Sequence, residues 1–126
     1  MAILAGYLFL VLSTTVLSRP VKAEYEYMLM PFWSYTAILE GQKDLLAENI
    51  ANIIMLVPVG FLLPIVLKSD GSRPDGKKVV LIGFLFSSSI ELLQLILKRG
   101  LFEFDDIVHN TAGCLVGYMI YRLVYG

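Results

Sequence analysis

Carboxylates and amides stand inside stretches of sequence that are otherwise apolar. Glu91 and Gln94 lie in one such stretch, and Asp106 and Asn110 lie at the start of the next. In each pair the spacing places both side chains on one face of a helix. Glu91 with Asp105 or Asp106 could act as a general acid and base. The same polar groups could instead bind a ligand, or only hydrogen-bond neighbouring helices to each other.

No complete catalytic set accompanies these carboxylates in the sequence. The single histidine, His109, and the single cysteine, Cys114, lie apart from each other and form no nucleophile–base pair. No histidines or cysteines are spaced as metal ligands. We therefore expect no metal and no cofactor, assign no catalytic residue, and favour binding over catalysis.

The stretches that contain these residues are long and apolar enough to cross a membrane. The chain has 126 residues, of which 57% are hydrophobic and 17% charged, and the apolar residues are concentrated in blocks. A helix needs roughly 20 apolar residues to span a bilayer, where an isolated strand would leave its backbone unpaired. The blocks cover residues 2–18, 47–67, 79–97 and 107–125. The sequence predicts one all-α domain, a polytopic transmembrane four-helix bundle.

Three of the segments have further features. Pro58 and Pro64 fall inside the second block and predict a bend there. Residues 21–23 resemble a signal-peptide cleavage site after the first block. That block lacks a basic start and exceeds the usual apolar core of about 7–15 residues, which favours a retained helix. Residues 36–46 fit a short interfacial helix between the first and second spans.

The distribution of lysines and arginines indicates an orientation. Residues 68–78 contain four of the ten, whereas residues 19–46 and 98–106 are net acidic. Because positive residues concentrate in cytoplasmic loops, we predict that both termini are cytoplasmic and that residues 98–106 lie outside. The net charge of −1 and the absence of a basic stripe predict no binding to nucleic acid.

A four-span arrangement brings the polar residues to one membrane face in either orientation. The start of the second span, the end of the third and the start of the fourth lie there, and polar groups in membrane segments usually turn inward and pair. We predict a shared ligand-binding pocket in which Arg99 reaches a carboxylate at salt-bridge distance. Gly113 and Gly117, deeper on the fourth span, predict close packing of another helix. The pocket residues are Asn49, Asn52, Glu91, Gln94, Arg99, Asp105, Asp106 and Asn110.

The same residues give the chain a family resemblance. The order of motifs is Asn49-x-x-Asn52, Pro58-x-Gly60, Glu91-x-x-Gln94, Arg99, Asp105-Asp106 and Asn110-Thr111-x-Gly113. This combination resembles the VanZ-like family of small bacterial membrane proteins. Glu103 stands where an aspartate is more usual, and His109 occupies a normally apolar position.

The resemblance implies a phenotype and no reaction. It implies a place in the bacterial plasma membrane and a contribution to low-level resistance to the glycopeptide teicoplanin. The expected partner of an outer-face pocket is a membrane lipid, a lipid-linked wall precursor or the lipid tail of the antibiotic. Two alternatives stay open. One is an enzyme acting on a lipid-linked envelope substrate, with Glu91 and Asp105 or Asp106 as acid and base. The other is an accessory scaffold for another membrane protein.

Overall fold

Helices make up most of the chain that the structure describes. The computed structural model describes residues 2–67 and 75–125, so most of the predicted loop 68–78 lies outside the described residues. The helices are α1 (Ala2–Leu12), continued by a π-helical turn (Ser13–Leu17), α2 (Trp33–Leu39), α3 (Asp44–Met55), α4 (Val57–Leu67), α5 (Gly76–Ile96) and α6 (Phe104–Tyr125). Two short strands, β1 (Tyr27–Met28) and β2 (Phe102–Glu103), pair in parallel. The predicted all-α class is confirmed.

Two helical stretches within residues 2–67 and 75–125 are long and apolar enough to cross a membrane. They are Asp44–Leu67, which combines α3 and α4, and Gly76–Ile96, which is α5. Ala2–Leu17 is apolar but shorter. Helix α6 has 22 residues and carries charged residues in its first and last turns. The four-span arrangement therefore stays a prediction, although helices occupy all four predicted segments.

The helix of the second segment, where a bend was predicted, is interrupted at Leu56. Helix α3 ends at Met55 and α4 begins at Val57, directly before Pro58. Proline has no N–H, and its ring clashes with the carbonyl four residues earlier, so the helix breaks just ahead of it. Pro64 is accommodated inside α4.

A short helix is present between the first and second predicted spans, but it begins earlier than residue 36, and its interfacial position stays a prediction. Helix α2 covers Trp33–Leu39, and the chain turns before α3 begins at Asp44. Gly41 has a φ of 111°, a left-handed value that glycine adopts at little cost and that ends a helix. Residues 36–46 are therefore divided between two helices.

Helix α6 packs closely against the α3–α4 pair, and glycines make this approach possible. A Cβ added at Gly113 would overlap the carbonyl oxygen of Ile53, and one added at Gly117 would overlap that of Val57. On the opposite side of the contact, a Cβ at Gly60 would overlap the carbonyl oxygen of Cys114. The close packing predicted at Gly113 and Gly117 is confirmed.

The outward faces of α5 and α6 are apolar. Large exposed hydrophobic side chains on these two helices include Leu81, Phe84, Leu85, Leu92, Leu115, Met119 and Leu123. Contiguous exposed apolar surface of this kind marks a site of contact with a partner or a membrane. Helices that face lipid would present such a surface.

The polar segments meet at one end of the helical bundle. Lys22 N–H donates to the Lys98 carbonyl at 2.7 Å, and Phe102 N–H donates to the Glu26 carbonyl at 3.0 Å. The β1–β2 pair continues this contact. The segment after α1 and the segment after α5 are thereby fixed to each other beside the starts of α3 and α6.

Candidate functional site

Asp105 lies in a closed network of hydrogen bonds. Its side chain is 1% exposed and accepts from the backbone N–H of Phe32 at 2.5 Å and from the Ser34 hydroxyl at 3.2 Å. Asn49, which is also buried, donates from Nδ2 to Ser34 Oγ at 3.0 Å. We call these groups the Asp105 network: Phe32 N–H, Ser34, Asn49 and Asp105. The network joins α2, α3 and α6, so Asn49 and Asp105 hold helix ends together.

The side-chain amides of Gln94 and Asn110 also donate hydrogen bonds to groups inside the protein. Gln94 Nε2 donates to the Thr15 carbonyl at 2.8 Å, and Asn110 Nδ2 donates to Ser87 Oγ at 3.0 Å. Thr15 lies in the π-helical turn, where helical hydrogen bonds are rearranged. Both amides are buried, and their carbonyl oxygens have no hydrogen-bond partner among the described residues.

The prediction that Arg99 reaches a carboxylate is wrong. Its guanidinium Nη1 donates to the carbonyls of Leu17 and Arg19, both at 3.0 Å. Those carbonyls lie where the first helix ends, and such carbonyls have no intrahelical partner. Arg99 therefore caps the end of the first helical segment. The ion pair found within residues 2–67 and 75–125 is Lys22–Glu26, at 2.7 Å on the surface.

An open cleft lies beside the Asp105 network at the same end of the bundle. Its volume is about 330 Å³. Asn52 and Asp106 meet there, with Asn52 Nδ2 donating to Asp106 Oδ1 at 2.8 Å. We call it the Asp106 cleft. Its lining residues are Arg19, Glu48, Ala51, Asn52, Leu101, Glu103 and Asp106.

Three carboxyl groups interact around this cleft. Glu91 is 2% exposed, and its Oε2 accepts from the Glu103 backbone N–H at 3.0 Å. The Asp106 carboxyl interacts with the side chains of both Glu91 and Glu103. Of the two acids predicted as partners for Glu91, Asp106 is thus its neighbour, whereas Asp105 belongs to the closed network. The cleft is strongly acidic.

Glu103 is the acid of the cleft that lies in the connection between α5 and α6. Burial, together with the hydrogen bond and the negative charge of the adjacent Asp106 carboxyl, raises the pKa of Glu103 to about 8. Near neutral pH much of the Glu103 population is therefore protonated. A protonated carboxyl can donate a hydrogen bond as well as accept one.

Arg19 supplies positive charge to the cleft. Its charge acts on both Glu91 and Asp106, although no ion pair within 4.0 Å joins Arg19 to an acid in the described chain. This role was predicted for Arg99, because Arg99 stands beside the acids in the sequence. Arg19 directly follows the first apolar block, and a charge at the end of a span was the signal available to find it.

Other residues of the site were also not predicted from the sequence. Glu48 and Glu103 line the cleft, and Ser34 links Asn49 to Asp105. His109 is buried, and its Nε2 lies 2.6 Å from the Tyr35 hydroxyl. Glu48 was visible as an acid at the start of the second span, but the contact between His109 and Tyr35 depends on how α2 folds back.

Fold and site together define a class of protein: an apolar helical bundle with an acidic polar cleft at one end. The family model described as VanZ/LLP1 matches residues 3–125, and the chain belongs to this family. The chain is 32% identical over 76 residues to Protein VanZ from Enterococcus faecium. The match covers 60% of this chain and 45% of that protein. No solved structure matches the chain significantly. The family resemblance found in the sequence is confirmed.

Proposed function

We propose that this chain is a multi-pass protein of the bacterial plasma membrane that contributes to low-level glycopeptide resistance. It does so by binding an envelope molecule in the Asp106 cleft. The observation that carries the proposal is the cleft itself, an open space lined by charged side chains at the end of an apolar bundle. Ionisable residues are costly in membrane segments and mark functional sites there. The relationship to Protein VanZ supports the link to resistance.

The proposed membrane arrangement uses four helical spans. They are α1 with its π-helical turn, the α3–α4 pair, α5 and α6. Helix α6 is about 33 Å long at 1.5 Å per residue, enough to cross the hydrocarbon core. Its acids lie in the first turn and Arg122 in the last, so its charges would fall near the two surfaces. With cytoplasmic termini, the cleft faces outward, where envelope molecules are found.

The lining of the cleft favours a polar ligand group over an acyl chain. Placing hydrocarbon against Glu48, Glu103 and Asp106 would desolvate these groups without giving them hydrogen bonds. Of the candidate partners, the headgroup of a lipid or of a lipid-linked wall precursor therefore fits better than the lipid tail of the antibiotic.

A susceptibility assay tests the function. The chain is expressed in a teicoplanin-susceptible bacterium, and the effect of Glu48→Gln is compared with that of Glu24→Gln. Both glutamates are exposed, but Glu48 lines the cleft. We expect wild type and Glu24→Gln to raise the inhibitory concentration and Glu48→Gln to lose most of that rise at equal membrane abundance. Full protection by Glu48→Gln would reject the cleft as the site and favour the scaffold role.

The orientation is tested by labelling intact cells with an impermeant maleimide. Single cysteines are placed at Gln42, between α2 and α3, and at Ser72, in a Cys114→Ser background. We expect labelling at position 42 only. Labelling at 72 only would reverse the orientation, and labelling at both would contradict the four-span arrangement.

Catalysis on a lipid-linked substrate is a second candidate, favoured by the contact of Asp106 with Glu91 and Glu103. Adjacent carboxyl groups with different protonation states can act as acid and base. To decide between binding and catalysis, the purified protein is incubated with a lipid-linked wall precursor and the mass of the precursor is followed. Binding alone predicts an unchanged mass; a new product lost in Glu91→Gln would establish an enzyme.

A further inference from the structure

The charges of the Asp106 cleft are separated although opposite charges are present. Arg19 lines the cleft together with Glu48, Glu103 and Asp106, yet its guanidinium lies within 4.0 Å of none of these carboxylates. In contrast, Lys22 and Glu26 pair directly at 2.7 Å on the nearby surface. The cleft thus contains a positive group and several acids that do not pair with one another.

A buried amide adjoins the positive side of the cleft. Gln94 is 3% exposed and its Oε1 has no hydrogen-bond partner among the described residues. Gln94 and Arg19 both approach Gly100. A Cβ added at Gly100 would lie 3.4 Å from Gln94 Nε2 and 3.3 Å from Arg19 Nη1. An unpaired buried oxygen is costly, and a water in this region would satisfy it.

A ligand that matches this arrangement carries two opposite charges. An anionic phosphate suits a guanidinium, because charge-assisted hydrogen bonds of this kind are strong and can be bidentate. A primary ammonium has three donors and no acceptor, which matches a group of carboxylates. The volume of about 330 Å³ lies at the small end of the range for ligand sites, about 300–1,000 Å³. It suits a headgroup.

We propose that the Asp106 cleft binds a zwitterionic aminophosphate headgroup of the phosphatidylethanolamine type, with its phosphate on Arg19 and its ammonium among Glu48, Glu103 and Asp106. This inference rests on the proposed function, because it names the ligand class of the same cleft. The position of the cleft at the end of the apolar helices favours the headgroup of a membrane lipid over a free aminophosphate in solution.

Native mass spectrometry of the delipidated 126-residue chain in detergent tests the proposal. The protein is titrated with phosphatidylethanolamine, phosphatidylglycerol and phosphatidylcholine of matched acyl chains. Phosphatidylglycerol lacks the ammonium, and phosphatidylcholine has no N–H donors. We expect phosphatidylethanolamine to bind about tenfold more tightly than either, which corresponds to about 1.4 kcal/mol. Equal binding of the three lipids, or preference for another, would overturn the proposal.

Matched variants separate the cleft from the surface. Arg19→Gln and Glu48→Gln, which change charges that line the cleft, should each remove most of the selectivity. Lys22→Gln and Glu24→Gln, which change charges on the surface outside the cleft, should leave it intact. Selectivity that survives both cleft variants would overturn the proposal. Competition by soluble phosphoethanolamine at micromolar concentration would mean that the free aminophosphate is the ligand and would reject the lipid assignment.

The susceptibility assay fails independently of this one. Loss of resistance in Glu48→Gln without any lipid selectivity would reject the headgroup and keep the proposed function. Selective binding of phosphatidylethanolamine with unchanged resistance in Glu48→Gln would support the headgroup and reject the proposed function.

Discussion

Asp105 and Asp106 are adjacent in the sequence and have opposite surroundings. Asp105 is 1% exposed and accepts two hydrogen bonds from Phe32 and Ser34. Asp106 lines an open cleft and accepts from Asn52. Successive residues on a helix point about 100° apart, so the start of one helix can direct one acid into the closed network and the next into the cleft. Two like residues in one motif therefore need not share a role.

Asn49 and Asn52 repeat this division on α3. Asn49 belongs to the Asp105 network, and Asn52 lines the Asp106 cleft. Each asparagine thus accompanies one of the two acids. The polar end of the bundle therefore has a closed part, the Asp105 network, which joins the helices, and an open part, the Asp106 cleft.

The largest expected effect on stability comes from Asp105→Ala. The change leaves the Phe32 N–H and the Ser34 hydroxyl without their acceptor, and two hydrogen bonds to a charged group are worth roughly 3–5 kcal/mol. Melting in detergent, with Glu24→Ala as the exposed control, measures it. If both variants melt together with wild type, the Asp105 network does not stabilise the fold.

Gly113→Ala tests the close packing of α6 against α3, the two helices that contribute residues to both the Asp105 network and the Asp106 cleft. The new methyl group would overlap the Ile53 carbonyl, and overpacking costs about 1–3 kcal/mol. The control is Gly6→Ala in α1, where an added Cβ meets no atom within 4 Å. We expect Gly113→Ala to lower the melting temperature and Gly6→Ala to leave it equal or higher. An unchanged Gly113→Ala would contradict the close contact.

Alanine substitution of Asn49 and of Asn52 should have different effects on stability. Asn49→Ala removes a buried donor to Ser34 and should cost roughly 1–3 kcal/mol. Asn52→Ala removes a donor at the cleft, where water can replace it, and should cost less than about 1 kcal/mol. Chemical denaturation in mixed micelles measures both. Equal losses would mean that the cleft is as closed as the network.

The smallest effect is a pH dependence that belongs to the cleft. Because the pKa of Glu103 is raised to about 8 in the folded protein, its proton stabilises the fold fully below the unfolded pKa, near 4.5. This stability is lost as the pH rises through about 8. We expect the melting temperature to fall between pH 6 and pH 9 and this fall to shrink in Glu103→Gln. An equal fall in Glu103→Gln and Glu24→Gln would exclude Glu103 as its cause.

The helical segments could be predicted from the sequence, because long apolar blocks in a membrane leave the backbone few other choices. The break before Pro58 and the packing at Gly113 followed from single residues with strong local effects. The start of α2 and the β1–β2 pair were missed. They depend on contacts between distant segments, and two-residue strands leave little periodic signal.

The candidate site could be predicted as a region but not as a set of partners. Helical spacing predicted that the polar residues lie at one end of the bundle. It could not distinguish the environment of Asp105 from that of Asp106, since both lie in the first turn of α6. The positive partner was misassigned for a similar reason. Arg99 is close to the acids in the sequence, but it donates hydrogen bonds to carbonyls at the end of the first helix. Arg19 lines the cleft instead.

Asp106→Asn, measured for both melting temperature and teicoplanin resistance, tests the division between network and cleft. Asparagine keeps an oxygen that can accept from Asn52 and removes only the charge. We expect a melting temperature within about 2 °C of wild type and loss of most of the resistance. Resistance that is retained, or that falls only in proportion to a loss of folded protein, would contradict the division between a structural network and a functional cleft.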